Sequence, residues 1–469
     1  MLLALAPTAP AASEGGPLTQ RCRAISEALH GPCRGGEQLA ADAAATCRWA
    51  GVPDSSCGLP LAPRVSAAAV ARYRASWVHR ALSLQYELGN DVPLRNAPWV
   101  GTHNSFNSVA EMGPTLSDLD SNQQLSLTDQ LQLDVRSLEL DLHWFLSARS
   151  GLARAPVVCH AEGNHAGCTV ERELGPVLDE IAAWLRKPAN AGQVLLLYLE
   201  DHLDGEQGYD AAAAALRERL GRLVYRPPGG GGCTELPLGL TRDDVLAAGA
   251  QVIIVSGCGA GAAWASQIFT WRQHRETRPV GYTDFPGCGR DFDRATYDST
   301  IIRYFEDSTW LTAQAAPLGL SSTDDGITPA TAAAMARCGV DLTGMDQLLP
   351  GDGRLASLVW SWAPGQPAAG DCAVQVVSRS LPYGRWQSRP CGERHPVACR
   401  AAGGAWSVAT PAVPEAAAPA LCSRMGASFA VPRTGYEAQL LRLAMQAAGA
   451  GEAWLAYRRA GATWAATGG

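Results

Sequence analysis

The chain has 469 residues, 47% of them hydrophobic and 18% charged, with a formal net charge of −7. At roughly 100–200 residues per domain it is long enough for more than one core. The acidic balance offers no basic field for nucleic acid, and no run of about 18 or more apolar residues is present to span a bilayer, so any membrane contact is expected to be peripheral.

In chain order, residues 1–16 read as a remnant of a secretion signal: MLLALAPTAPAA supplies an apolar core and a small-residue cleavage zone, without the basic start. Fourteen cysteines fit the same oxidising, extracellular compartment. Four precede the central region (Cys22, Cys33, Cys47, Cys57), six lie within it (Cys159, Cys168, Cys233, Cys258, Cys288, Cys338) and four follow (Cys372, Cys391, Cys399, Cys422). Each group is even, which suits three units whose bridges close internally. Residues 17–84 read as a small, cysteine-containing helical cap, too short to bury much alone.

From residue 93 strands alternate with helices. PWVGTHN, SLELDLHW, PVVCH, QVLLLYLE, QVIIVSG, IIRYFED and VDLTGMDQL are strand-like, with helices expected over 171–186, 209–220 and 329–337. Such alternation over 85–352 predicts an α/β fold, a TIM-type (β/α) barrel whose active site lies at the C-terminal ends of the strands. The glycine run at 229–232 has no following Lys-Ser/Thr and is no phosphate loop.

The residues that carry chemistry cluster at strand ends. GTHNS, RSLELDLHW, VVCHAE and LLLYLED deliver His103, Asn104, Glu139, Asp141, His160 and Glu200, with GMDQL as a fifth segment of the same kind. On a strand Glu139, Asp141 and His143 share one face, because Leu140 and Leu142 alternate with them. Inward carboxylates repel unless a cation lies between them. Oxygen donors of this kind suit calcium, which takes roughly 6 to 8 oxygens; zinc would draw on the histidines instead. His165, Asp201 and His202 read as solvated loop groups.

Motif by motif, these segments resemble the X region of the calcium-dependent phosphoinositide-specific phospholipases C, over about 85–350. The resemblance implies that His103 and His160 are catalytic, that Asn104, Glu139, Asp141 and Glu200 hold Ca2+, and that the substrate is a phosphatidylinositol-type lipid cleaved between diacylglycerol and phosphate. It further implies that His160 protonates the leaving alcohol while His103 stabilises the transition state, with Glu139 or Glu200 as the base. Arg136 is read as either substrate-binding or paired with a nearby carboxylate. His143 is read as a rim or substrate contact, and Arg303 and Tyr304 as head-group candidates. Against a glycerophosphodiester or sphingolipid phosphodiesterase, the strand end reads His103-Asn104-Ser105 rather than His-Arg-Gly. A lectin-like binding protein with an inactive barrel is disfavoured by the complete catalytic set.

Residues 359–400 resemble the second half of a C-type lectin-like domain and 404–469 the first half, in reversed order. Two incomplete repeats or one permuted α+β module over 353–469 would both account for this. The single module is preferred because its four cysteines close without leftovers, and it implies the pairs Cys372–Cys391 and Cys399–Cys422. Ala368, Gln387 and Ser388 stand where sugar-binding members carry ligands, so calcium-dependent carbohydrate binding is not expected.

Overall fold

The computed structural model describes residues 65–108, 121–161, 168–227, 233–309, 326–461 and 463–467, with the single residues 110 and 312. The signal remnant, most of the cap with its four cysteines, and His165 lie outside these residues.

Two helices open the described chain, α1 (Ala67–Arg74) and α2 (Trp77–Leu88), each capped by a serine: Ser66 accepts from the N–H of Ala69 and Ser76 from that of His79. The boundary expected at 84/85 falls inside α2, whose buried Ala81, Leu82 and Tyr86 join the barrel core. Tyr86 ties this helix to the barrel: its hydroxyl donates to the Asp134 carbonyl at 3.0 Å and accepts from the N–H of Val100 at 2.9 Å.

The barrel strands are β1 (Trp99–Thr102), β2 (Ser137–Ser147), β5 (Leu195–His202), β6 (Val252–Ser256), β7 (Phe269–Thr270), β8 (His274–Thr277), β9 (Ile301–Phe305) and β10 (Leu342–Met345). They pair in parallel in the order β7-β6-β5-β2-β1-β10-β9-β8. Only residues 271–273 separate β7 from β8, too few to reverse the chain or cross over. The two are therefore one broken stave, pairing with β6 through its first part and with β9 through its second. This curled, parallel sheet with helices outside is the expected TIM-type barrel.

One strand departs from expectation. PVVCH contributes to β3 (Ala153–Val158), which runs antiparallel to the second half of β2 rather than joining the parallel stave order. Only residues 148–152 connect the two, which permits a hairpin but no parallel crossover. β4 (Arg172–Glu173) adds to its far side.

Helices α3 (Leu127–Gln132), α4 (Leu174–Leu185), α5 (Gly205–Arg219) and α6 (Pro329–Cys338) pack outside. Helix α6 has sequence signals at both ends, Thr328 accepting from the Thr331 N–H with Pro329 at the first turn, and Gly339 in the left-handed region at φ 75°. Outward residues of β2 and β5 (Leu138, Leu140, Leu142, Leu195, Leu197, Leu199) are fully buried against this layer. A second cluster containing Trp99, Leu196, Ile253, Val255, Phe269 and Leu342 forms an apolar floor from the opposite parity.

The C-terminal segment forms a second sheet: β11 (Cys372–Val376), β12 (Arg385–Arg389), β13 (His395–Ala401), β14 (Trp406–Val413), β15 (Ala427–Phe429), β16 (Glu452–Ala460) and β17 (Thr463–Ala466), ordered β12-β11-β16-β13-β14. β16, from the second segment, lies between β11 and β13 of the first, so the two segments make one sheet and not two repeats. The bridges are Cys372–Cys391 and Cys399–Cys422, as expected, and the six central cysteines also pair among themselves as Cys159–Cys168, Cys233–Cys258 and Cys288–Cys338. Helix α7 (Gly435–Ala447) covers a core of Trp360, Trp362, Trp386, Leu455 and Tyr457.

Helix α7 begins hard against α6. A Cβ at Gly435 would stand 2.1 Å from the Ala336 carbonyl oxygen and 3.2 Å from Trp360 Cδ1. Gly435→Ala should therefore force the two backbones apart and destabilise the protein by about 1–3 kcal/mol. A urea midpoint equal to that of the wild type would show that α6 and α7 do not meet this closely.

Candidate active site

The GTHNS turn is stitched to β2 by its serine: the Ser105 hydroxyl accepts from the Glu139 N–H at 2.9 Å, and the Ser105 N–H donates to the Glu139 carbonyl at 3.0 Å. Asn104 takes φ 41°, a left-handed conformation that asparagine tolerates better than most residues. Its N–H donates to Glu139 Oε2 at 3.3 Å.

Register then builds the site in layers. Glu139 lies level with Tyr198, Asp141 with Glu200, and His143 with His202. The carboxylates of Glu139, Asp141 and Glu200 offer oxygens that all lie within 4.8 Å of one another. Burial, then the charges of Glu139 and Glu200, push the Asp141 carboxyl well above the carboxylate range. Glu200 is held below its ordinary value, first by its hydrogen bond from His202 at 3.2 Å. Arg303 enters from β9, donating to Glu139 and, at 2.7 Å, to Glu276 of β8.

The Asn104 amide completes the ring. Its terminal atom lies 3.1 and 3.2 Å from the two Asp141 oxygens. With the NH2 turned inward it donates to that carboxylate; with the oxygen inward it adds a fourth oxygen donor. An all-oxygen set of three crowded carboxylates and one amide fits a hard divalent cation. A second group of potential ligands among the described residues, His143 with Cys159 and Cys168, provides no thiolate, because those cysteines are bonded to each other.

His103 stands at the end of β1 with Nδ1 3.3 Å from Oδ1 of Asp346. Asp346 in turn accepts from the N–H of Ser308 at 2.6 Å and from Gln123 Nε2 at 3.3 Å, and Gln123 also donates to the His103 carbonyl at 2.7 Å. Burial opposes a charged His103, but the carboxylates of Asp346 and Glu139 and the Asp346 hydrogen bond outweigh it, raising the imidazole to about 9. An Asp346 contact at Nδ1 fixes the ring and leaves Nε2 for chemistry. Sequence reasoning singled out GMDQL without assigning Asp346. The spacing of 243 residues gives no local hint that it meets His103.

His160 is exposed and follows Cys159, whose N–H donates to the Asp141 carbonyl at 3.2 Å. The chain therefore passes the carboxylate layer one residue before His160. His143 is buried rather than at the rim and stacks on His202 at 4.7 Å. Asp201 and His202 are strand residues, not loop residues, and Asp201 accepts from the Tyr209 hydroxyl at 2.8 Å.

Two candidates are displaced by the structure. Tyr304 is fully buried on the outward face of β9, edge-on to Tyr282 and Phe292, because it alternates with the inward Arg303. Arg136 precedes β2 at the opposite end of the barrel, where the second of its two readings holds: it pairs with the buried Asp134 carboxylate at 3.6 Å, donates to the carbonyls of Leu131 and Val135 and to Gln193, and lies over the Trp184 ring at 4.8 Å. Its role is structural. Arg303 does join the site, but its guanidinium is engaged by two carboxylates.

The family described as the Rv2075c PI-PLC-like domain matches residues 58–352, and the chain belongs to it. The uncharacterized proteins MT2135 and Rv2075c of Mycobacterium tuberculosis (strains CDC 1551 / Oshkosh and ATCC 25618 / H37Rv) are each 43% identical over 455 residues, covering 94% of this chain and 91% of theirs. Among solved structures, phosphatidylinositol-specific phospholipase C from Listeria monocytogenes is 14% identical with a TM-score of 0.38, covering 58% of this chain and 94% of that one. A calcium-dependent counterpart from Streptomyces antibioticus is 16% identical with a TM-score of 0.30, covering 56% and 97%. Membership stands on the family match and the mycobacterial relatives, not on these distant structures.

The crowding of carboxylates has a measurable consequence. In chelator, Asp141→Asn should raise the melting temperature, since it removes a buried carboxyl whose ionisation is opposed by burial and by Glu139 and Glu200. Added calcium should stabilise the wild type and leave the variant nearly unmoved. A variant that melts below the wild type in chelator and still responds fully to calcium would contradict this account of the cluster.

Proposed function

We propose that this chain is a secreted, calcium-dependent phosphodiesterase that cleaves phosphatidylinositol-type lipids between diacylglycerol and phosphate. The observation that carries the reading is an Asp346-braced histidine at the same strand ends as a cluster of three carboxylates and an amide. Asn104, Glu139, Asp141 and Glu200 would hold the cation, which when bound lowers the pKa of a sugar hydroxyl and offsets charge on the phosphate. Glu139 is occupied by Arg303, so Glu200, with its side chain 44% exposed, is the better placed base. It takes the proton of the inositol 2-hydroxyl as that oxygen bonds to phosphorus. The phosphorus–oxygen bond to diacylglycerol breaks, and His160 gives its proton to the departing glycerol oxygen, leaving a cyclic inositol phosphate. His103 donates from Nε2 to the phosphoryl oxygen that gains charge.

Secretion is supported by the disulfides that hold all ten described cysteines. Contact with lipid would be peripheral: no helix among the described residues is long and apolar enough to cross a membrane. We read 353–469 as a permuted C-type lectin-like module without a calcium-dependent sugar site. Gln366 Oε1 accepts from the Ser388 N–H at 3.0 Å and its hydroxyl at 3.1 Å, so these two positions satisfy each other. The full-length protein should accordingly show no chelator-released retention on mannose or galactose matrices; such retention would overturn this part.

The decisive assay presents a panel of phospholipid vesicles with and without calcium and identifies the phosphate product. Phosphatidylinositol should give a cyclic inositol phosphate only with calcium. His160→Ala should lose roughly 10²- to 10⁴-fold in rate, and a soluble substrate with a good leaving group should restore much of it. Turnover undiminished in chelator, or equal rescue of Asp141→Asn by that substrate, would refute the assigned roles.

A further inference from the structure

One buried network lies beside the candidate site and meets it at the backbone of Asp346. Glu306 directly follows β9, and Arg354 sits on the short helix Gly353–Ser357 that leads out of the barrel. Both are largely buried. Arg354 Nη1 donates to Glu306 Oε2 at 2.5 Å, and Nη2 donates to the carbonyl oxygen of Asp346 at 2.8 Å. Glu306 Oε2 also accepts from the N–H of Asp346 at 2.6 Å, while its Oε1 accepts from the N–H of Ile327 at 2.6 Å. Asp352 holds the remaining edge of the guanidinium, with Nε at 2.8 and 3.0 Å and Nη2 at 2.5 Å.

The arrangement answers a backbone need. Strand β10 ends at Met345, so the N–H and carbonyl of Asp346 have no ladder partner where its carboxylate must meet His103. The ion pair supplies both partners at once, with charge-assisted bonds from a planar fork that reaches two acceptors in fixed geometry. A buried pair of this kind is weak evidence for stability and better evidence for fixing one conformation.

We propose that Glu306 and Arg354 are positioning residues that act on the reaction through Asp346, locking its backbone so that its carboxylate holds His103 Nδ1. This rests on the reading of His103 and Asp346 as a working pair. In the full chain, Arg354→Gln should lower kcat by about 10- to 100-fold, the scale of a small misplacement, while KM for phosphatidylinositol vesicles stays within about twofold. Asp346→Asn should lose at least as much. The double variant should be no slower than Asp346→Asn alone, because both act through one contact; multiplied losses would overturn the proposal.

A readout independent of turnover separates this claim from the proposed activity. The low-field proton resonance of the His103 Nδ1–H, assigned by its loss in Asp346→Asn, should shift or vanish in Arg354→Gln. Should that variant fail to fold, Arg354→Lys keeps the charge but cannot fork, and an intermediate shift with several-fold lower kcat is expected. Wild-type resonance and kcat in the lysine variant would overturn the clamp. If the wild type cleaves no phosphodiester, the functional reading falls, whereas the resonance still decides whether the clamp sets the pair.

Discussion

Three carboxylates crowded on the inner face of two adjacent strands, two of them buried, concentrate like charge at one end of a parallel barrel, and the surroundings of the site are organised around that constraint. Asp141 and Glu200 are brought level by the β2–β5 register, with Glu139 one layer below on the same face of β2, and a one-residue slip of either strand would turn its carboxylates outward. Arg303 answers from β9, the Asn104 amide from the turn after β1, and the His103 imidazole through a raised pKa that favours its charged form. Asp141 nevertheless remains pushed toward its neutral form. The cluster is under-compensated by its own residues, which is the state expected of a site that takes a further cation.

Much of this was readable in the sequence wherever period two is unambiguous. In SLELDLHW polar and apolar residues alternate without exception, so the shared face of Glu139, Asp141 and His143 follows from the pleat alone. IIRYF is different, because bulky residues occupy both parities and nothing local separates Arg303 from Tyr304. Only the tyrosines and phenylalanine packed outside β9 decide that Tyr304 faces away. Arg136 could have been excluded by length. It precedes Asp141 by five residues, roughly 17 Å of strand, and so belongs to the far end of the barrel. Asp346 lay beyond sequence reasoning, since its partner is supplied by closure of the barrel between β10 and β1.

The C-terminal sheet shows a different kind of legibility. Its segments occur in reversed order, yet β16 inserts between β11 and β13 and the two bridges close within the sheet. Even cysteine counts carried that inference, because a bridge limits which strands can be neighbours. The order of elements in the chain did not, since a sheet is specified by contacts and not by sequence direction.

The broken stave connects these observations. Residues 271–273 let one stretch of chain pair with β6 below and β9 above, and the upper part carries Glu276 to the level of Arg303. Arg303 thereby bridges Glu276 and Glu139, two carboxylates on separate staves. A lysine would present a single point charge to one of them, whereas the planar guanidinium reaches both in fixed geometry. Closure of the barrel and orientation of Glu139 are thus the same event electrostatically. The stave that completes the fold thus holds, through Glu276, the guanidinium that pairs with Glu139.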